Sequence, residues 1–441
     1  MNDRLFSDAA QLTVPLPLAE LSRMLRSGEL ELAGFVERLC DRIAAVDAQL
    51  EALLPEPGRR ERLLREAERL QQAFPDPAAR PPLWGVPVGV KDIFHVAGFA
   101  TRAGSALPPA VLAGPQSSAV TALQAAGAMV VGKTVTTEFA FFEPGPTRNP
   151  HNLSHTPGGS SSGSAAAVAA GLCALALGTQ TIGSTIRPAA YCGIVGYKPS
   201  YGRIAADGLI PFSPSVDTVG LFSQDVAGMA QAAALLCADW QPAAGDALPV
   251  LGVPEGPYLE QLTPASRAVF DTHCALLAAA GYTLRSVRLL PDLERIAERH
   301  RRLIAAELAA VHAQWYARYG ALYRPRTSAL ILEGRTVTAA DAQAARNGRA
   351  ELRAELEQAM RVNHVDLWIA PAAPGPAPLG LHATGDPALN LPWTHAGMPA
   401  LTVPAVAEQQ RLPLGLQLVA AFGADEQLLA WAPTLAAALQ A

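Results

Sequence analysis

Apolar residues recur three and four positions apart over Leu18–Leu25 and again over Ala33–Val46, with acidic and basic residues between them. That period turns one face of each segment toward a core and predicts two amphipathic helices. A third, more highly charged helix is expected over Arg59–Gln72, and the proline-rich stretch Pro75–Pro82 ends this helical segment. Beyond it the pattern changes. Gly85–Val90 is a short apolar run of strand length, Ser118–Ala126 reads as a helix closed by Gly127, and Ala128–Val131 is a strand running into Gly132 and Lys133. Ala165–Gly178 reads as a buried helix followed by a buried strand. The alternation returns with strand Val250–Val253, helix Ser266–Ala280, Gly281 as its C-cap, and strand Thr283–Val287. Residues 290–362 predict charged amphipathic helices layered on one side, and Asp366–Ala370 and Leu414–Val419 two more core strands. Such alternation predicts an α/β fold with a largely parallel, buried sheet and helices on both faces. No period repeats, and no linker is rich enough in Gly, Ser or Pro to cut the chain. One large domain is expected, with 1–74 as a helical segment packed on the core formed by 75–441.

Composition narrows the function classes. Half of the 441 residues are hydrophobic and 17% are charged, a globular balance rather than a disordered one. The net charge of −5, with Lys and Arg dispersed, offers neither a nucleic-acid stripe nor a polybasic membrane patch. Met1–Pro15 lacks the apolar core of a signal peptide. The longest small-apolar run, Ala165–Gly178, falls short of the ~20 residues of a membrane span. The five cysteines are scattered without a Cys-x-x-Cys pair and are expected as buried free thiols in a reducing cytoplasm.

Three segments carry candidate chemistry. In Gly85-Val86-Pro87-Val88-Gly89-Val90-Lys91-Asp92 a lysine ends an apolar strand. Its stem can pack while its head reaches water; alternatively the amine is desolvated, its pKa falls, and it serves as a base. Thr156-Pro157-Gly158-Gly159-Ser160-Ser161-Ser162-Gly163-Ser164 opens a helix. It reads as a capped turn or an anion-binding loop, and no Gly-Lys-Ser/Thr follows to make it a phosphate loop. Gly159–Gly163 also fits G-x-S-x-G with Ser161 as nucleophile, but that elbow needs a buried strand before it, and Asn149–Pro157 is polar and turn-forming. In the third segment, Leu177 to Ala190, a strand ends in a tight turn carrying Ser184, with Pro188 permitting a helix just afterwards. A serine at such a corner is either a cap or a nucleophile beside backbone N–H groups.

Taken together, the three resemble the amidase signature family, whose glycine- and serine-rich signature spans Gly158–Lys198 here, including Cys192-Gly193-Ile194-Val195-Gly196-Tyr197-Lys198-Pro199. Gly85–Asp92, Gly127–Lys133, Asp366–Pro374 and Leu412–Gln417 match further pieces, so the resemblance covers most of the chain. It implies a mixed β-sheet covered on both faces by helices. By this resemblance Ser184 is the acylated nucleophile, Ser160 a bridging serine on a cis peptide after Gly159, and Lys91 the terminal base. Thr181, Ile182, Gly183 and Ser184 would supply the oxyanion-hole N–H groups. The implied activity is hydrolysis of a linear amide, or of a carbamate (urethane), anilide or ester, with no metal or other cofactor. The implied partner is a small-molecule substrate, with no nucleic acid or membrane, and a homodimer is compatible. Where many members read Asp-Thr-Gly-Gly-Ser-Ile-Arg, this chain has Gln180-Thr181-Ile182-Gly183-Ser184-Thr185-Ile186-Arg187. The later arginine is similar to the malonamidase-like branch. It makes Arg187 a candidate for a substrate carboxylate, against a structural role on backbone carbonyls or Asp217.

Other residues are expected to be structural: His95, His151, His155 and His395, which share no ligand spacing, and Lys133. Phe139, Phe141, Phe142 and Trp393 line either a substrate pocket or, by preference, the core. Two rivals remain. An amidotransferase subunit would pass ammonia to a partner. A non-catalytic binding protein is disfavoured by the intact Lys91, Ser160 and Ser184.

Overall fold

The apolar spacing of the amino-terminal segments becomes packing in the helices Leu18–Ser27 and Leu32–Leu50. Leu18, Leu21, Met24 and Leu25 of the first, and Leu32, Phe35, Leu39, Val46 and Leu50 of the second, join the same buried cluster as the sheet. Glu31 starts the second helix by accepting from Ala33 N (2.8 Å) and Gly34 N (2.6 Å). The helix Arg59–Ala73, richer in charge, buries only Leu63 and Ala67. This computed structural model describes residues 11–245, 247–405 and 412–440; the first ten residues, part of the stretch that carries the leader expectation, lie outside them. Among the described residues no helix is long and apolar enough to cross a membrane.

The strands are β1 (Pro87–Lys91), β2 (Met129–Thr134), β3 (Leu175–Gln180), β4 (Val195–Lys198), β5 (Thr218–Ser223), β6 (Leu251–Glu255), β7 (Leu284–Arg288), β8 (Leu367–Pro371), β9 (Ala400–Ala405) and β10 (Leu414–Val419). They form one ten-stranded sheet in the order β2-β1-β3-β5-β4-β9-β10-β8-β6-β7. The flanks are parallel, β1 with β2 and β3, and β6 with β7 and β8. The run β3-β5-β4-β9-β10-β8 is antiparallel throughout. The sheet is therefore mixed, as the family resemblance implied, and the largely parallel sheet read from alternation alone is corrected. That reading extended the strand–helix alternation of the two ends across a centre it does not describe. β4 and β5 are joined by a loop without a crossover helix, which antiparallel neighbours do not need.

Helices cover both faces, and the charged region folds as the helices Leu293–Val311, Ala313–Tyr319, Pro325–Gly334 and Ala339–Asn363. The five cysteines are free, with Cys40, Cys173, Cys192 and Cys237 buried. Because β1 and β3 run parallel, Lys91 and Gln180 emerge at the same end of the sheet. The carboxyl ends of strands beside a change of direction, here from β1-β3 to β5, are where open α/β sheets place ligands. The Gly/Ser loop reaches that end by leading into the helix Ser162–Ala169, and it lies close against the chain after β2. A Cβ on Gly163 would stand 2.2 Å from Ala52 O and 2.4 Å from Val135 N, so only glycine fits there.

Lys133 lies within β2 rather than after it, and its Nζ is 2.7 Å from Asp92 Oδ1, both side chains being almost wholly buried. Asp92 also accepts from Arg102 N and Ala103 N, each at 3.1 Å. Removing one member of such a pair strands a buried charge. Lys133→Met is expected to lower the unfolding free energy by about 3–5 kcal/mol in urea titration, and adding Asp92→Leu to recover part of the loss. A single variant within ~1 kcal/mol of the parent would contradict this account.

Candidate active site

Lys91, fully buried at the end of β1, places Nζ 2.8 Å from Ser160 Oγ and 2.8 Å from Thr179 Oγ1. No carboxylate among the described residues is hydrogen-bonded to it. Burial pushes its pKa down to about 7, opposed only by the charge of nearby Asp217. Asp217 is itself engaged, its Oδ2 accepting from Phe212 N (2.7 Å) and Ser213 N (2.9 Å) and its Oδ1 from the Thr181 hydroxyl. Burial raises that carboxyl to about 6. Near neutrality the lysine is thus poised between amine and ammonium, in contact with two hydroxyls.

The serines of the Gly/Ser loop divide by partner. Ser161 Oγ donates to Thr179 O (3.3 Å), Ser162 Oγ to Gly158 O (2.8 Å) and Ser164 Oγ to Leu177 O (2.9 Å), so each of these fixes backbone. Ser160 alone of the four meets the lysine, and the Gly159–Ser160 peptide is cis. Ser161, the alternative nucleophile of the elbow pattern, is fully buried against β3.

Ser184 sits on the turn between β3 and the helix Ile186–Cys192. Gln180, which stands where the family's usual acid would, spans that turn. Its Oε1 accepts from Thr185 N (2.8 Å) and Ile186 N (3.0 Å), and its Nε2 donates to Thr394 Oγ1 (2.8 Å). A neutral amide serves here because one end must accept and the other donate. The Thr394 hydroxyl in turn donates to Ile182 O at 2.7 Å. Gly183 is held against Asn390, with a Cβ built on it falling 2.4 Å from Asn390 Oδ1.

Ser160, Thr181, Ile182, Ser184 and Arg187 line one cavity of about 10 Å³, together with Ala140, Phe141, Phe142, Phe212 and Thr384. Arg187 is buried; its Nη2 donates to Gly159 O (2.7 Å) and Thr384 Oγ1 (3.1 Å). Its Nε and Nη1 are buried without a hydrogen-bond partner among the described residues, and desolvation lowers its pKa to about 10. The guanidinium therefore holds a backbone carbonyl, as one alternative had it, and keeps two donors unused.

Of the aromatics named from sequence, Phe141 and Phe142 reach the cavity. Phe139 stacks on Tyr323 and meets His312 edge-on, and Trp393 packs on Tyr258 and Trp368 in the core. The histidines are dispersed: His95 pairs with Thr101, His151 with Cys192 O, His155 with Ala377 O and His395 with His300. Thr179, Phe212, Thr384 and Thr394 were not anticipated as site residues. Thr179 was detectable as the position two before Thr181 on a strand ending at the site; the other three carry no local signal.

A buried amine bonded to one serine, with a second serine on a pinned glycine turn in the same cavity, defines a serine–lysine site on an α/β sheet. The family profile described as Amidase matches residues 34–429, and the chain belongs to the amidase signature family. It is 31% identical over 469 aligned positions to a glutamyl-tRNA(Gln) amidotransferase subunit of Synechococcus sp. (strain RCC307), covering 94% of this chain and 95% of that protein. Its structure resembles a crystal structure of an amidase, with TM-score 0.88 and 33% identity over 96% of this chain and all (100%) of the other. It also resembles the peptide amidase of Stenotrophomonas maltophilia, with TM-score 0.81 and 27% identity over 97% and 98% of the two chains.

Proposed function

We propose that this protein is an amidohydrolase that cleaves a small linear amide, or a chemically close carbamate, anilide or ester, through an acyl-enzyme on Ser184. The observation that carries this reading is the buried Lys91 amine, held near neutral pKa and 2.8 Å from Ser160 Oγ in the cavity that Ser184 shares. In the proposed reaction neutral Lys91 takes the Ser160 proton while Ser160 takes that of Ser184, whose oxygen adds to the substrate carbonyl carbon. Backbone N–H groups of Thr181–Ser184 receive the oxyanion. The proton then returns along the same relay to the departing nitrogen, which leaves as a neutral amine or ammonia. Water adds to the acyl-enzyme by the same route, releasing the acid and restoring Ser184. Arg187, with two unused donors and no counter-ion hydrogen-bonded to it, is proposed to receive a carboxylate on the acyl side.

A second reading, an amidotransferase subunit that delivers ammonia to a partner, is favoured by the name of the Synechococcus relative. Turnover of small amides by the isolated chain supports the first reading. Silence alone, with glutamine hydrolysis only in a complex, supports the second.

Ser184→Ala is expected to abolish turnover without changing the thermal melt, and Ser160→Ala and Lys91→Ala each to cost several powers of ten, non-additively. Ser161→Ala should stay within a few-fold of the parent; a large loss there with Ser160→Ala active would restore the elbow pattern with Ser161 as nucleophile. Activity retained in Ser184→Ala would remove the assignment.

The acid limb of kcat/KM should fall near pH 7, because protonation of Lys91 removes the base. Asp217→Asn deletes the negative charge that favours the ammonium, so the limb should move to lower pH; a limb that moves up or stays would show another group titrating.

Arg187 is tested with two amides of similar size, one carboxylated and one neutral. Arg187→Ala should lose ~1.5–3 kcal/mol in kcat/KM on the carboxylated member alone. Equal loss on both would make the arginine a support for Gly159 and nothing more.

A further inference from the structure

Thr394 belongs to the short helix Leu391–Ala396, on the far side of the sequence from the Ser184 turn. That helix is tightly held. Trp393 Nε1 donates to Tyr258 Oη (2.8 Å), which donates to Leu389 O (2.6 Å). At the other end Arg349 Nε donates to His395 O (3.0 Å) and Arg353 Nε to Ala396 O (2.7 Å), two cations on carbonyls of the last turn. Fixed from both ends, the helix presents the Thr394 hydroxyl to the turn. The hydroxyl has two acceptors, Ile182 O at 2.7 Å and Asn390 O at 3.1 Å, and the shorter contact is the one across the site.

The consequence lies in the next peptide. Ile182–Gly183 is not among the cis bonds of the chain. In a trans peptide the carbonyl and the following N–H point in opposite directions within one plane. Anchoring Ile182 O on Thr394 therefore turns the Gly183 N–H away from the helix, and the residues on either side of Gly183, Ile182 and Ser184, both line the cavity. The next peptide is fixed separately, Gly183 O accepting from Arg187 N at 3.1 Å, so the Ile182–Gly183 plane depends on the Thr394 bond. A glycine can rotate the flanking peptide at low cost, and the side chains beside it, Pro387 and Asn390, pack there without a hydrogen bond to that peptide, the Asn390 Oδ1 having no partner among the described residues. A rotated peptide would present a carbonyl oxygen where the oxyanion must be received.

We propose that Thr394 is a positioning residue of this site: its hydrogen bond to Ile182 O sets the peptide plane that aims the Gly183 N–H at the developing oxyanion. The proposal rests on the acyl-enzyme reading above. It requires that the bond act on the transition state rather than on substrate binding, because the oxyanion forms only during reaction.

The test uses the full chain and the amide on which Ser184→Ala is silent. Thr394→Val keeps shape and removes the hydroxyl; Thr394→Ser keeps the hydroxyl. Thr394→Val is expected to lower kcat by about 10- to 100-fold with KM within about threefold, part of what loss of a whole oxyanion donor produces. Thr394→Ser should remain within about threefold of the parent in both constants. Should Thr394→Val fail to show a cooperative melt, Thr394→Ala is read by the same criteria. A folded variant without the hydroxyl that keeps kcat within threefold, or a serine variant as impaired as the valine one, overturns the proposal while the nucleophile assignment stands. Turnover surviving in Ser184→Ala would instead overturn the reading on which it rests.

Discussion

The buried amine of Lys91 is the constraint around which the rest of the site is arranged. Taking an ammonium out of water without a hydrogen-bonded carboxylate is unfavourable enough that the group gives up its proton near neutrality. The neighbouring strand shows the alternative. Lys133 is also buried, yet Asp92 sits 2.7 Å from it, and the charge of each opposes the burial of the other. Two lysines on paired strands thus have opposite uses. One is an ion pair that ties β2 to the chain after β1, and the other an amine whose neighbours are the hydroxyls of Ser160 and Thr179. Asp217 is near enough to moderate Lys91 but is occupied by Thr181, Phe212 and Ser213. Were it free to bond the lysine, the ammonium would be favoured.

Such an amine is useful only if the groups beyond it are held still, and they are held by parts of the chain remote in sequence. Thr384 bonds Arg187, Asn390 abuts Gly183, and Thr394 bonds both Gln180 and Ile182. All three come from the segment between β8 and β9, which crosses over the end of β3. Asn390 is anchored to Ala372 O (2.9 Å) and Gln417 Oε1 (3.0 Å), so the template is continuous with the antiparallel centre of the sheet. The strand reversal that the alternation pattern failed to forecast is therefore part of what builds the site: it lets carboxyl-terminal residues meet the Ser184 turn.

What could be read from sequence follows from how local each feature is. The amino-terminal helices, β1, β2 and the helix Pro264–Ala279 declared themselves by period and by glycine stops. Lys91 stood out because a cation closed an apolar strand, and the Gly/Ser loop because of its composition. Choosing among four serines was beyond local pattern. Ser160, Ser161, Ser162 and Ser164 differ only in what their hydroxyls touch, and those partners lie on β1, on β3 and in the loop's own backbone. The family resemblance singled out Ser160, and the geometry independently sets it apart by its contact with Lys91. Phe212 and Thr394 were illegible because nothing near them in sequence distinguishes a site residue from a packed one.

Cavity size and site chemistry point to different places. The larger cleft, about 690 Å³, lies over Asp47, Glu51, Arg59, Asp92, Arg102 and Arg324. Much of its charge is already answered: Asp92 by Lys133, Arg59 by Glu56 at 3.2 Å, Arg324 by Glu143 at 3.4 Å. A ligand entering there must compete with those partners. The cavity at Ser184, by contrast, has room for about one water. Yet its lining includes a cation with two unused donors, a serine on a pinned turn, and Ser160, whose hydroxyl is 2.8 Å from the amine of lowered pKa. Unsatisfied groups, not empty volume, are what a substrate can pair with. The small volume adds a requirement of its own. An acyl group larger than about one water needs more space than this, among a lining that includes Phe141, Phe142 and Phe212. Lys91, fully buried, meets this space only through the Ser160 hydroxyl that lines it, so one serine faces both the desolvated amine and whatever enters the cavity.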